Sequence, residues 1–248
     1  MVDSDLIPLL AAAGALLAGG IVKGVIGIGT PLVVLPVLVL FHDVKESVQL
    51  LALPLFLSNV LQAWQGHGTG EVFRRVAPVT AGLAAGIVVG VSLAGTLPDA
   101  LLLVVAGIFV CLASIATALA PSFAIPREWE KWLGPLTGAA GGVLGGLTTL
   151  FGPALALYLT GLRLTQAVFV KAVSILYTAG SGTLFLAVLG LQAPAGATVL
   201  VSLACVPPLF LGMALGQRLR GLLPPATLRL LVLGVVFVGG TNMILRGI

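Results

Sequence analysis

The sequence predicts an all-α polytopic membrane protein of two inverted-topology repeats, each a broken, re-entrant helical hairpin followed by three transmembrane helices. Three observations predict it: the composition, a self-similarity at a fixed offset, and the placement of Lys and Arg. Of 248 residues, 59% are apolar and 8% charged, and the mean hydropathy is +1.20. Such a chain lacks the material for a soluble surface. Six stretches, 24–41, 47–70, 76–98, 100–126, 133–162 and 172–217, hold no charged residue. Nearly all exceed the roughly 18 residues that mark a spanning helix.

The net charge is +4 and the pI about 9.5, but the basic residues lie in short loops between apolar segments. That placement speaks for membrane orientation and against a nucleic-acid partner. Residues 1–20 carry Asp3 and Asp5 where a secretory signal carries Lys or Arg, so they read as a retained helix. Cys111 and Cys205 lie deep in apolar segments and read as packing residues. No metal-ligand cluster and no cofactor motif is present in the sequence.

Sliding the chain against itself superposes Gly19-Gly20 on Gly141-Gly142, Gly24 on Gly146, Pro31 on Pro153 and Gly90 on Gly212. The register then slips at the loop holding Arg218 and Arg220, after which Pro98 meets Pro225, Leu101 meets Leu228 and Gly107 meets Gly234. The first repeat is 1–120, with a hairpin over 6–41 and spans 47–65, 76–97 and 100–120. A cytoplasmic linker, 121–132, leads to the second repeat, 133–248, with a hairpin over 133–162 and spans 165–189, 196–216 and 226–246.

Each hairpin is inferred from a long apolar stretch interrupted by glycine and then proline, the first reading Lys23-Gly-Val-Ile-Gly-Ile-Gly-Thr-Pro31. One helix over 6–41 would run roughly 54 Å through a core of roughly 30 Å, so the chain must break there. Charge decides whether it also reverses. With two reversals, one face collects Arg74, Arg75, Arg127, Lys131, Arg163, Arg218, Arg220 and Arg229, and the other only Lys45 and Arg246. Single crossings divide the same residues evenly, which is no orientation signal. The hairpin reading puts both termini outside and the second half in the opposite sense, the plan of many secondary transporters. Trp64, Trp129 and Trp132 then lie near the cytoplasmic boundary as interfacial anchors.

Inverted repeats bring discontinuous helices together near the midplane. The helix restarting at Thr30-Pro31 and its counterpart at Gly152-Pro153 present free backbone N–H groups there, and Gly27 and Gly29 allow close approach of an anion. Glycines that merely let helices pack are the plain alternative, and the one that suits Gly82, Gly86 and Gly90. Lys23 and Lys171 escape the loop count. A lysine at the bilayer centre costs about 2.5–3.5 kcal/mol, so both are candidates for substrate contact, with snorkelling to the near surface as the alternative. Lys171, Ser174, Tyr177, Thr178 and Ser181 share one helical face. Asn59, with Gln49, Ser58 and Gln62, lies on another span that lines a cavity or serves as interhelical glue. Thr148 and Thr149 match Thr30 as donors to an oxyanion. No carboxylate and neither His42 nor His67 falls in a predicted span, so Ser181 between Gly180 and Gly182 lacks a base for hydrolysis.

The run Ala18-Gly-Gly-Ile-Val-Lys-Gly-Val-Ile-Gly-Ile-Gly-Thr-Pro-Leu-Val-Val-Leu-Pro36, repeated loosely as Gly141-Gly-Val-Leu-Gly-Gly-Leu-Thr-Thr-Leu-Phe-Gly-Pro153, resembles the sulfite exporter TauE/SafE family. Residues 74–97 resemble its basic turn and Gly-spaced helix, and 219–233 the end of its second repeat. Thr30 stands where a further glycine is common, and 43–50 lacks the usual Ala-Thr-Ser segment. The resemblance implies a transporter exporting sulfite, sulfoacetate or a related organosulfonate across the bacterial inner membrane. An anion channel with the same site, or an importer, is the alternative. The membrane potential, worth about 2.3 kcal/mol per charge per 100 mV, favours anion export from an inside-negative cell. The partners implied are a small anionic substrate and the lipid bilayer, and a homo-oligomer is compatible with the sequence.

Overall fold

A computed structural model describes residues 2–64, 70–119, 124–219 and 225–248. Gln65, His67, residues 120–123 and Arg220 lie outside the described residues, as do the side chains of Asp3, Asp5 and Arg229. The described residues form eleven helices and no strand: α1 (Val2–Ile26), α2 (Thr30–Leu38), α3 (Val44–Trp64), α4 (Gly70–Ala94), α5 (Asp99–Leu119), α6 (Arg127–Thr148), α7 (Gly152–Gly161), α8 (Gln166–Ala187), α9 (Gly196–Ala204), α10 (Val206–Leu219) and α11 (Pro225–Gly247). Five segments are long and apolar enough to cross a membrane: Ile7–Ile26, Val44–Trp64, Val72–Ala94, Val168–Gln192 and Gly196–Leu219. The protein is a multi-pass membrane protein.

Helices α2 and α7, with 9 and 10 residues, reach only about 13–15 Å, half a hydrocarbon core. Each folds back on the helix before it. Thr30 and Val34 lie against Gly19 of α1, and Phe151 and Ala154 lie against Gly145 and Gly141 of α6. The breaks are therefore reversing hairpins.

Two boundaries differ from the sequence expectation. Helix α6 begins at Arg127, inside the stretch read as linker, because Pro126 supplies an extended N-cap and Glu128 and Glu130 occupy the first turn, where free N–H groups favour negative charge. The span 196–216 is two helices, parted at Cys205, where Pro207 and Pro208 withhold the N–H groups that would continue the ladder. Helix α8 is drawn out into a π-helical turn over Val188–Gln192.

The chain forms two compact units: Met1–Pro54, Leu97–Ala118 and Ala195–Ile248 in the first, Leu55–Thr96 and Leu119–Pro194 in the second. Neither coincides with a sequence repeat. The first unit combines α1, α2, α5 and the N-terminal part of α3 with α9, α10 and α11. The second combines α4 and the rest of α3 with α6, α7 and α8.

Glycine faces explain this exchange. In the first unit α1 lies on α10, and a Cβ at Gly20 would lie 3.0 Å from Gly212 Cα, one at Gly24 2.8 Å from Gly216 Cα. In the second unit α4 lies on α6, where a Cβ at Gly142 would lie 3.0 Å from Gly86 Cα and one at Gly90 3.0 Å from Gly146 Cα. Backbones this close gain van der Waals contact and Cα–H···O interactions, which hold helices together in lipid.

Other contacts close each unit. In the first, the Asp99 carboxylate accepts the Val44 N–H at 2.9 Å and so caps α3, and Ser202 donates to the Leu50 carbonyl at 2.8 Å. In the second, the Arg75 guanidinium grips Glu130 through two bonds of 3.1 and 2.7 Å, tying the start of α4 to the first turn of α6.

Candidate functional site

The first break lies wholly in the first unit. Helix α1 ends at Ile26, and Gly27 and Gly29 take φ of 92° and 107°, a region open to glycine and strained for other residues. The Gly27 N–H donates to the Lys23 carbonyl at 2.7 Å, and Leu32 N–H to Gly29 O at 3.1 Å. Lys23 and Thr30 are buried, 4% and 1% exposed. Lys23 stands in the last turn of α1, where the partial negative charge of the helix end offsets part of the cost of burying a cation. The Thr30 hydroxyl donates to the Gly19 carbonyl at 3.3 Å. Its proton is engaged in closing the hairpin.

The second break lies wholly in the second unit, and its left-handed residue is Thr149, with φ of 67°. In the sequence self-comparison Gly27 falls opposite Thr149. A β-branched residue in that conformation is an outlier. The Thr149 N–H donates to Gly145 O at 2.7 Å, which closes the end of α6, yet the Thr149 hydroxyl, in a residue 1% exposed, has no hydrogen-bond partner among the described residues. Left-handed strain costs about 1–2 kcal/mol, and a buried unpaired hydroxyl about 1–3 kcal/mol. Costs of this kind collect at binding sites.

Tyr177 of α8 completes this corner. Its ring meets Phe151 edge-on, with centroids 5.5 Å apart, and a Cβ at Gly152 would run into its hydroxyl. Glycine at 152 is what lets a phenol oxygen rest on the first residue of α7. Phe151 is itself wedged, since a Cβ at Gly145 would lie 2.7 Å from its Cβ and one at Gly180 3.3 Å from its Cε2. Sequence reasoning missed Phe151 and Gly145. Their signal was a bulky residue at a turn flanked by glycines on two different helices.

Most of the remaining candidate hydroxyls and amides are bonded to backbone carbonyls. The Thr148 hydroxyl donates to Leu144 O at 2.7 Å and accepts the Leu150 N–H at 3.3 Å. Asn59 Nδ2 donates to Tyr177 O at 3.3 Å and to Ser181 Oγ at 3.0 Å, Ser181 donates to Tyr177 O at 2.6 Å, and Thr178 donates to Asn59 O at 3.2 Å. This network pins α3 to α8 just beside Tyr177. Ser174 donates back to Val170 O at 2.9 Å. Lys171 is partly exposed on α8. The protons of Thr148, Ser174, Thr178 and Ser181 are thus spent on carbonyls, and at the second break the Thr149 hydroxyl is the one left unpaired among these candidates, with the Tyr177 hydroxyl packed on Gly152 beside it. Ser181, hydrogen-bonded on both sides, is not poised as a nucleophile. Among the described residues no group of His, Cys, Asp and Glu is arranged to hold a metal ion.

The model of one protein family, Sulfite exporter TauE/SafE, matches residues 11–243. The chain belongs to the sulfite exporter TauE/SafE family. The match spans both breaks and every site candidate, so the hairpin turns at Gly27–Thr30 and Thr149–Gly152 are parts of a TauE/SafE protein, and membership makes this chain a membrane transport protein of the sulfite-exporter kind. No curated protein and no solved structure matches the chain.

Proposed function

We propose that this protein is a secondary transporter that exports a small sulfur-containing anion, sulfite, sulfoacetate or a related organosulfonate, across the bacterial inner membrane, with both termini periplasmic. The anion's oxygens are received at the second break by the Thr149 and Tyr177 hydroxyls and by the backbone N–H groups opening α7, which the helix dipole makes attractive to negative charge. Within the first unit, the first break carries a positive group of its own, Lys23, buried to 4% exposure. The protein is not an enzyme in this reading and uses no cofactor.

The observation that carries the reading is Thr149, a buried hydroxyl without a partner on a backbone that disfavours threonine. An oxyanion gives that hydroxyl the acceptor it lacks. The test is uptake into proteoliposomes of sulfite, sulfate, thiosulfate, sulfoacetate and taurine. A transporter gives saturable flux with counter-exchange, and Thr149→Val lowers the apparent affinity about tenfold or more, the loss of one hydrogen bond to a charged group. Flux that rises without saturation and shows no counter-exchange identifies a channel, and full affinity in Thr149→Val refutes the site.

A further inference from the structure

We infer that Arg246, in the last turn of α11, is a positioning residue for transport, seating α2 by its C-terminal carbonyl and so fixing the turn at Gly27–Thr30. The inference rests on the transporter reading above.

Helix α2 has 9 residues, too few to be stable alone. What grips it decides where the turn lies. Its N-terminal end is held by the Thr30 hydroxyl on Gly19 O. Its flank is held where Pro36 enters the notch at Gly239 of α11, where an added Cβ would lie 2.6 Å from Pro36 Cβ. Its C-terminal end is held by Arg246, whose Nη1 donates to Val39 O at 2.6 Å. Val39 is the C-cap of α2 and is 2% exposed.

A guanidinium on a helix's C-terminal carbonyl is charge-assisted and also complements the negative end of the helix dipole. At the second break, the corresponding carbonyl of α7, Gly161 O, is held by a neutral backbone donor, Ile125 N–H, at 2.8 Å. The arginine is carried on a firm support, since α11 packs against α5 so closely that a Cβ at Gly240 would lie 3.0 Å from Gly107 O and one at Gly247 3.1 Å from Val104 N. A contiguous path therefore runs from α5 through α11 and Arg246 to α2 and the residues of the first turn.

The experiment compares Arg246→Gln and Arg246→Lys with the unaltered protein in two measurements: amide hydrogen exchange over residues 30–38 in purified protein, and KM and Vmax for sulfite or sulfoacetate flux in proteoliposomes. In Arg246→Gln, exchange over 30–38 rises about tenfold while exchange in α4 and α6 stays as it was, and KM rises several-fold more than Vmax falls. Arg246→Lys, which keeps charge and donor, restores both to within about twofold. Unchanged exchange over 30–38 overturns the seating, whatever anion the protein carries. Raised exchange with unchanged KM overturns the link to substrate. If the unaltered protein carries none of the sulfur anions, the transporter reading fails, and the positioning of substrate by Arg246 fails with it.

Discussion

Replacing Thr149 by glycine separates a residue kept for binding from one kept for stability. Thr149→Gly relieves a left-handed backbone worth about 1–2 kcal/mol and removes a buried hydroxyl whose lack of a partner costs about 1–3 kcal/mol. Against this, glycine loses about 0.5–1 kcal/mol more backbone entropy on folding, and the two buried carbons, Cβ and the methyl, give up about 1.6 kcal/mol. The balance runs from neutral to about 3 kcal/mol in favour of the variant. The expected outcome is a thermal unfolding midpoint in detergent equal to or above that of the unaltered protein, by about 2–4 °C for each kcal/mol. Anion affinity, read by equilibrium binding on the same sample, falls about tenfold or more. A variant whose midpoint drops by several degrees while its affinity is retained would show that Thr149 is there for packing, and the argument from its unpaired hydroxyl would collapse.

Three further substitutions probe the remaining parts. Lys23→Ala lowers anion binding in a protein that still folds, because a lysine at membrane depth, here 4% exposed, is a candidate for substrate contact; undiminished affinity in the folded variant removes Lys23 from the anion contacts. Asn59→Ala lowers stability by about 1–2 kcal/mol, because its amide bonds to both Tyr177 O and Ser181 Oγ, with affinity changed less than threefold; lost binding at an unchanged midpoint would make Asn59 a ligand instead of a pin. Gly20→Ala pushes a methyl group against the backbone of α10, where the nearest Cα is 3.0 Å away, and destabilises by about 1–3 kcal/mol. Gly14→Ala in the same helix meets nothing within 4 Å and is neutral or gains up to about 1 kcal/mol; equal midpoints for the two would refute the account of how α1 meets α10.

The helices were legible in the sequence because lipid leaves few options for a charge-free apolar run, and the breaks because glycine and proline interrupt stretches too long for one crossing. What was not legible is which glycine face meets which. Gly20 and Gly142 occupy equivalent positions, and sequence periodicity is equally content to pair either with α4 or with α10. Only the fit of carbonyls to Cα atoms across the contact selects α10 for Gly20 and α4 for Gly142. The start of α6 was hidden for a different reason. Charges at Arg127, Glu128, Glu130 and Lys131 read as loop on a hydropathy scale, although Glu130 is exchanged there for a bond to Arg75 and a favourable helix end.

The site shows the same division between residue type and partner. Sequence spacing put Ser174, Tyr177, Thr178 and Ser181 on one face of α8, and that is geometry a helix guarantees. Whether a hydroxyl on that face can serve a ligand depends on whether a carbonyl already holds its proton, and those carbonyls belong to positions such as Val170, Asn59 and Tyr177 that no spacing rule names as competitors. Thr148 and Thr149 make the point most sharply, being the same residue type in adjacent positions. The first is still helical, so its hydroxyl reaches back to Leu144 O. The second has crossed into the left-handed region, which turns its side chain away from the carbonyls of the preceding turn and leaves its hydroxyl unpaired. One backbone rotation thus converts a capping group into a candidate ligand. The same rotation at Gly27 carries no side chain to present.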